Sequence, residues 1–444
     1  MAAPLLDLAA GALALDGCDA VEVGLSRSDS ALTRFADSRI HQNVARSDGS
    51  ARVRVVVDGA RIGVAVTNCL DPAAIARAAE QAREIARHSP SDGQYAGLPS
   101  SQSYSPAGRD DPATGQCPPQ LRARAVAALL GELPSGVSGA GFVETNRLEL
   151  AVANTLGVAA AHAGTSARAG LLASGADSTG YAEASATAIA DLDMAGLGGR
   201  AARKVELGRR PRDVEPGLWA VVLEPGATEV LVQFLGYLAF GGKDFNDGSS
   251  ALTGRLGQAV CSERVSIADD ALSPLLPGVP FDAEGTAKRR LPLIERGVAA
   301  RVAHDRTTAA IAGTTSTGHA LPAPNPYGPV PSHLVMDGGD ASLDELVAGC
   351  ERGLYVTRFH YTNVVHPLNT TITGMTRDGT FLIEGGRIVG GVRNLRFTQS
   401  ILAALSQVEE VGADVTVASD LFFGAAAAPA VRLSQFAFTS ATAH

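Results

Sequence analysis

The side chains able to do chemistry are few, and their spacing is the first constraint. The nine histidines (His41, His88, His162, His304, His319, His333, His360, His366 and His444) show neither HExxH nor His-x3-His spacing. The nearest pair is His360 and His366, in HYTNVVH. On a strand these two share a face, but six residues at about 3.3 Å each set them roughly 20 Å apart. One ion cannot bridge them unless the strand bends sharply. The five cysteines (Cys18, Cys69, Cys117, Cys261 and Cys350) are odd in number and never in CxxC or CxxxC spacing. That argues against a disulfide framework and a zinc knuckle.

No GxSxG elbow occurs, and no Ser or Cys stands beside a credible base in the sequence. Asp269-Asp270, Asp337 with Asp340, and Glu409-Glu410 read as solvated faces. Asp244-Phe-Asn-Asp247 lacks the remaining spacing of an oxygen-ligand loop. The run Gly196-Leu-Gly198-Gly-Arg-Ala201 matches GxGxxA loosely, but no series of βαβ units surrounds it, so it reads as a helix break. On its own residues the chain displays no active site.

The elements that would position any site follow from pattern. The opening residues, without a basic leader and interrupted by Asp7 and Asp16, read as an amphipathic helix and not a signal peptide. Residues 20–25 and 30–44 look extended, and Asp58-Gly59 between two alternating runs signals a hairpin. Asp71 with Pro72 caps an expected helix over 73–88. Residues 89–119, rich in Pro, Gly, Ser and Asp, read as a long loop or linker. A helix over 120–133, antiparallel strands over 138–187 and a helical stretch over 188–207, broken at 196–199, complete the first half. Beyond it, short β-like runs alternate with Gly, Pro and Asp around helices at 227–239, 342–350 and 398–406. No repeat of fixed period occurs. The class is α+β: an N-terminal unit of antiparallel strands and helices over 1–215, and a C-terminal β-rich, barrel-like unit over 216–444.

With 444 residues, 45% hydrophobic, the chain is long enough for two or three packed domains. A net charge of -9 argues against nucleic acid as a partner. No apolar stretch is long enough for a membrane span. Cytoplasm is the expected compartment.

Four stretches carry a family resemblance: 33–44 (TRFADSRIHQNV), 248–261 (GSSALTGRLGQAVC), 337–365 (DGGDASLDELVAGCERGLYVTRFHYTNVV) and 373–405 (TGMTRDGTFLIEGGRIVGGVRNLRFTQSILAAL). They resemble the TldD/PmbA (TldD/TldE) family of bacterial metallopeptidase subunits. In that family the TldD-type subunit carries a zinc-binding HExxxH segment and a cysteine near its C-terminus. The PmbA/TldE-type subunit lacks them and pairs with it. Two imidazoles and a thiolate leave one position on zinc for an acidified water, and the Glu can take its proton.

The matching segment here is 232–237 (VQFLGY). The resemblance puts Val232 at the first His, Gln233 at the Glu and Tyr237 at the second His, with Gly236 at the family's Gly. A slip of one residue gives Gln233, Phe234 and Leu238, and neither register restores the motif. Phe423-Gly424 stands where the family has Cys-Gly.

The resemblance therefore implies a non-catalytic, metal-free subunit, with zinc in a TldD-type partner. The pair would degrade or trim an extended peptide, unfolded or a natural-product precursor. Arg358, His360, Asn363, Arg393, Asn394 and Arg396 are the candidate peptide or interface contacts. Two other readings stay open. One is a stand-alone hydrolase or tailoring enzyme acting on a small amide, thioether-linked or peptide-like metabolite. The other is a peptide-binding homodimer.

Overall fold

The computed structural model describes residues 3–417 and 424–441. The N-terminal unit is built on six strands: β1 (Ala20–Ala36), β2 (Arg39–Val57), β3 (Arg61–Thr67), β4 (Ser138–Asn154), β5 (Ala159–Ser174) and β6 (Thr179–Ala186). They form one antiparallel sheet in the order β3-β2-β1-β4-β5-β6. The stretch expected to be extended over 30–44 is instead two strands. Asp37 and Ser38, both at positive φ, turn the chain between them. The Asp58-Gly59 hairpin is as expected, with both residues at positive φ.

Asp71 caps the Pro72–His88 helix by accepting from the backbone N–H groups of Ala73 and Ala74. The helix buries Ile75, Ala78, Ala79 and Ala82 against Val21, Val23, Val53 and Val55 of β1 and β2. The Pro119–Gly131 and Met194–Leu207 helices pack together over the other end of the sheet. The glycines at 196–199 do not break the second helix, contrary to the expectation from sequence. A Cβ on Gly198 would lie 2.4 Å from the Leu129 carbonyl oxygen, so this glycine lets the two helices touch.

The C-terminal unit contains β7 (Gly217–Leu223), β8 (Ile267–Asp269), β9 (Leu291–Glu295), β10 (Val298–Ala299), β11 (His333–Met336), β12 (Arg352–His366), β13 (Thr371–Glu384), β14 (Arg387–Gly391), β15 (Leu395–Ser400), β16 (Val408–Val417) and β17 (Ala425–Ala441). The pairings β7–β12–β13–β15–β17 return to β7, so five strands close a ring. This is the barrel-like element expected from sequence, and closure leaves those strands without a free edge along the shared register. Val221, Leu223, Leu354, Val356, Phe397 and Phe436 feed the main core, which also takes the Pro225–Leu238 helix. Val222, Tyr355, Phe381 and Ile383 pack on the opposite side with Leu346.

Two features tie the units together. Arg54 of β2 donates to Glu22 of β1 at 2.7 Å and to Glu284 of the C-terminal unit at 3.2 Å, with all three side chains largely buried. The 89–119 segment is largely irregular apart from the turn of helix Pro112–Gly115, but it does not hang free. Tyr104 donates to the Gly285 carbonyl at 2.8 Å, and Arg306 donates to the carbonyls of Ala96 and Gly97. The segment straps one unit to the other.

Candidate functional site

The Pro225–Leu238 helix begins with Pro225 at its first position and is apolar on nearly every side, which is why it lies buried. Val232 is fully buried in the main core. Gln233 and Tyr237, one turn apart, instead line a small recess with Val330, Pro331 and Gly424. Gln233 donates to the buried Glu229 at 2.7 Å. The helix runs unbroken through Gly236, where an added Cβ would meet Leu334 of β11 at 2.7 Å. That glycine admits the neighbouring strand. Phe423 lies outside the described residues, while Gly424 sits beside the recess.

These side chains do not make a zinc site. Val232 is hydrocarbon turned to the core, Gln233 is a neutral amide, and Tyr237 is a phenol and a poor zinc ligand. In the alternative register Phe234 and Leu238 are also core residues. Among the described residues no three His, Cys, Asp or Glu side chains group as metal ligands.

Of the other candidates, Arg358 and His360 share a cavity of about 930 Å³ between the units, with Tyr181, Arg200, Lys204, Glu224 and Asp414. Lys204 bridges the Tyr181 carbonyl at 2.9 Å and Glu224 at 2.8 Å, and burial pulls its ammonium below the ordinary lysine value. Arg358 is held by Asp378 at 3.0 Å and lies over the Tyr181 ring, 3.8 Å from its centroid. Burial, then Arg377 and Arg358, lowers the basicity of His360. Asn363 is exposed and donates to the Tyr361 carbonyl. Arg393 pairs with Asp213 at 3.2 Å on the surface, Asn394 is partly buried, and Arg396 is exposed on β15. In register His360 stands opposite Met375, Met375 opposite Arg396 and Asn363 opposite Thr373, so three of the six share a face of β12–β13–β15.

A third cluster escaped the sequence. Asp269, expected on a solvated face, is fully buried at the end of β8. Its Oδ2 accepts the backbone N–H groups of Ser332 and His333 at 2.7 and 2.8 Å. Its Oδ1 lies 3.1 Å from His319 Nε2 and 3.9 Å from Lys288 Nζ. Lys288 donates to Ser332 Oγ at 2.9 Å and stands 3.3 Å from His333 Nδ1. Against the effect of burial, Lys288 and then His319 hold the Asp269 carboxyl well below its usual range. Burial, then Lys288, pushes His333 down to about 3, so it is a neutral ring. Four separate loops and strands supply these groups, so no local spacing announces them. The one signal is compositional. The chain has only three lysines, Lys204, Lys243 and Lys288, and two of them are buried.

Comparison with known proteins identifies the lineage. Residues 216–440 match the model of the PmbA/TldA metallopeptidase C-terminal domain, and residues 21–86 match PmbA/TldA metallopeptidase domain 1. The chain belongs to the PmbA/TldA metallopeptidase family. Within it, a metalloprotease of Methanothermobacter thermautotrophicus is 28% identical over 227 residues, which cover 50% of this chain and 49% of that one. A metalloprotease TldD homolog of Buchnera aphidicola is 28% identical over 204 residues, 45% of this chain and 41% of its own length. The matched region thus spans about half the length of these PmbA/TldA relatives. The crystal structure of TldE from Thermococcus kodakarensis superposes with a TM-score of 0.87 at 22% identity, covering 99% of this chain and 100% of that one. The whole chain therefore shares the fold of that family member. Among the described residues no helix is long and apolar enough to cross a membrane.

Proposed function

We propose that this PmbA/TldA chain is the non-catalytic, metal-free subunit of a TldD/TldE-type heterodimeric metallopeptidase, with zinc and the hydrolytic water held by a TldD-type partner. The pair degrades or trims extended peptides, unfolded or natural-product precursors. The observation that carries the reading is the Pro225–Leu238 helix: Val232 lies in the core, and Gln233 and Tyr237 face the recess, where the resemblance calls for zinc ligands and a general base. Hydrocarbon, amide and phenol leave the chain nothing with which to hold zinc there or to deprotonate a zinc-bound water. The fold shared with TldE of Thermococcus kodakarensis supports the same side of the pair.

Native mass and zinc content test this, on the chain alone and co-expressed with a TldD-type protein. The reading expects a one-to-one complex with about one zinc per pair, and none on the isolated chain. Stoichiometric zinc on the chain by itself, or failure to associate with the TldD-type protein, overturns it.

A further inference from the structure

Where the N-terminal sheet meets the C-terminal unit there is a cavity of about 290 Å³. Leu25, Leu150 and Val152 wall it from β1 and β4, and Phe281 and Leu321 wall it from the other side. Its polar lining includes Glu22, Arg52, Asp282 and His319 together with Lys288, Ser332 and His333. Such a pocket, apolar in its walls with convergent polar groups, has the character of a small-molecule site.

The hydrogen-bond roles among Lys288, Ser332 and His333 follow from the chemistry of the three groups. A lysine ammonium only donates, so Ser332 Oγ accepts from Lys288 Nζ at 2.9 Å. The serine proton can then go to His333 Nδ1, 2.9 Å from Oγ, the shorter of the two approaches to that nitrogen, Lys288 Nζ standing 3.3 Å away. That places the ring proton of His333 on Nε2. The buried Asp269 carboxylate clamps the backbone of both residues through two N–H groups. A hydroxyl is thus held between an acceptor and a fixed positive charge, with the supporting backbone locked. Ser332 and His333 have the contact of a nucleophile and its base, with Asp269 fixing the backbone of both.

We propose that Ser332 is a nucleophile for acyl transfer, with His333 receiving its proton and Lys288 stabilising the developing negative charge, on esters or amides of a compact apolar acyl group. As the Oγ–carbonyl bond forms, the hydroxyl proton passes to Nδ1. The bond to the leaving alcohol or amine then breaks, and the leaving group takes that proton. Water cleaves the resulting Ser332 ester, releasing the carboxylic acid and returning the proton to Oγ. His333 is neutral but weakly basic in its buried setting. Acylation is therefore expected to be slow.

This activity is separate from peptide hydrolysis at the partner's zinc, the reaction for which the chain is the non-catalytic subunit, so it stands or falls separately from the proposed heterodimer. The test treats the full-length chain with an alkyl fluorophosphonate and with p-nitrophenyl butyrate. One phosphonyl group is expected on the peptide containing Ser332, with loss of fluoride. Ser332→Ala should abolish the adduct while the melting temperature stays within a few degrees. Lys288→Met should slow labelling by about a hundredfold. Should Ser332→Ala unfold, Ser332→Cys keeps the fold testable and should be alkylated by iodoacetamide faster than the five native thiols. No adduct at Ser332, or undiminished labelling of Ser332→Ala, overturns the assignment.

Discussion

Removing the guanidinium of Arg54 is expected to destabilise the protein strongly, and more at alkaline than at acid pH. Arg54 donates to Glu22 at 2.7 Å and to Glu284 at 3.2 Å across the junction of the two units. The side chains of Arg54 and Glu22 are each 8% exposed and that of Glu284 12%. Breaking a buried pair by deleting one partner typically costs about 3–5 kcal/mol, because the remaining charge is stranded away from water. Arg54→Met strands two carboxylates at once.

Burial already raises the Glu22 carboxyl, with Arg54 opposing that rise. Without Arg54 the folded protein holds a proton on Glu22 at higher pH than the unfolded chain does. That contribution favours folding at low pH and is lost as pH rises through the folded-state value. At about 2.1 cal/mol/K per residue of unfolding entropy, the deficit lowers the melting temperature by about 3–10 °C, depending on whether the whole chain or half of it unfolds together. The assay is calorimetry of wild type and Arg54→Met at pH 5 and pH 8. Adding Glu22→Gln and Glu284→Gln to the variant should recover much of the loss at pH 8. A deficit below about 1 kcal/mol, or one equal at both pH values, refutes the reasoning.

Other consequences are as direct. Gly198→Ala places a methyl 2.4 Å from the Leu129 carbonyl, and should cost about 1–3 kcal/mol of stability by urea titration. Burial and Glu284 raise the Asp282 carboxyl to about 7. The protonated form therefore favours the fold below about pH 4 and loses that effect as pH rises through 7, a slope that Asp282→Asn should flatten. Arg358→Lys should not substitute for arginine, because the planar group both pairs with Asp378 and lies on the Tyr181 ring. A melting temperature unchanged in Arg358→Lys counts against that account.

Local chemistry made much of the N-terminal unit legible. Asp58-Gly59 announced its turn and Asp71-Pro72 its helix start, because caps and tight turns are decided by a few neighbouring residues. The Asp37-Ser38 turn lacks glycine, so nothing local marks it in the sequence, although both residues sit at positive φ. The glycines at 196–199 were misread because their role is to admit a neighbouring helix, a contact that no local pattern encodes.

β17 does not show in its own residues. Its start, AAAAPAV, has the alanine content of a helix and a proline inside a paired strand. The register irregularity of β16 between Val411 and Val415 lies beside Pro429, and it is where the ladder accommodates the missing N–H. The same limit hid the cluster in which Asp269, Lys288 and the adjacent pair Ser332-His333 come together from distant parts of the sequence. The family resemblance read from the C-terminal blocks agrees with the matched family domain.

The ring of five strands also sets an order of events during synthesis. β7 pairs with β12 and with β17, and the ring cannot close until residues 425–441 are available. Roughly 200 residues separate β7 from β17, so at typical ribosomal speeds about 10–40 s pass between their appearance. For that interval the Pro225–Leu238 helix has no completed wall to lie against. The nascent C-terminal half must keep that surface from other chains, while the N-terminal sheet, whose strands are all made by residue 186, is free to assemble first.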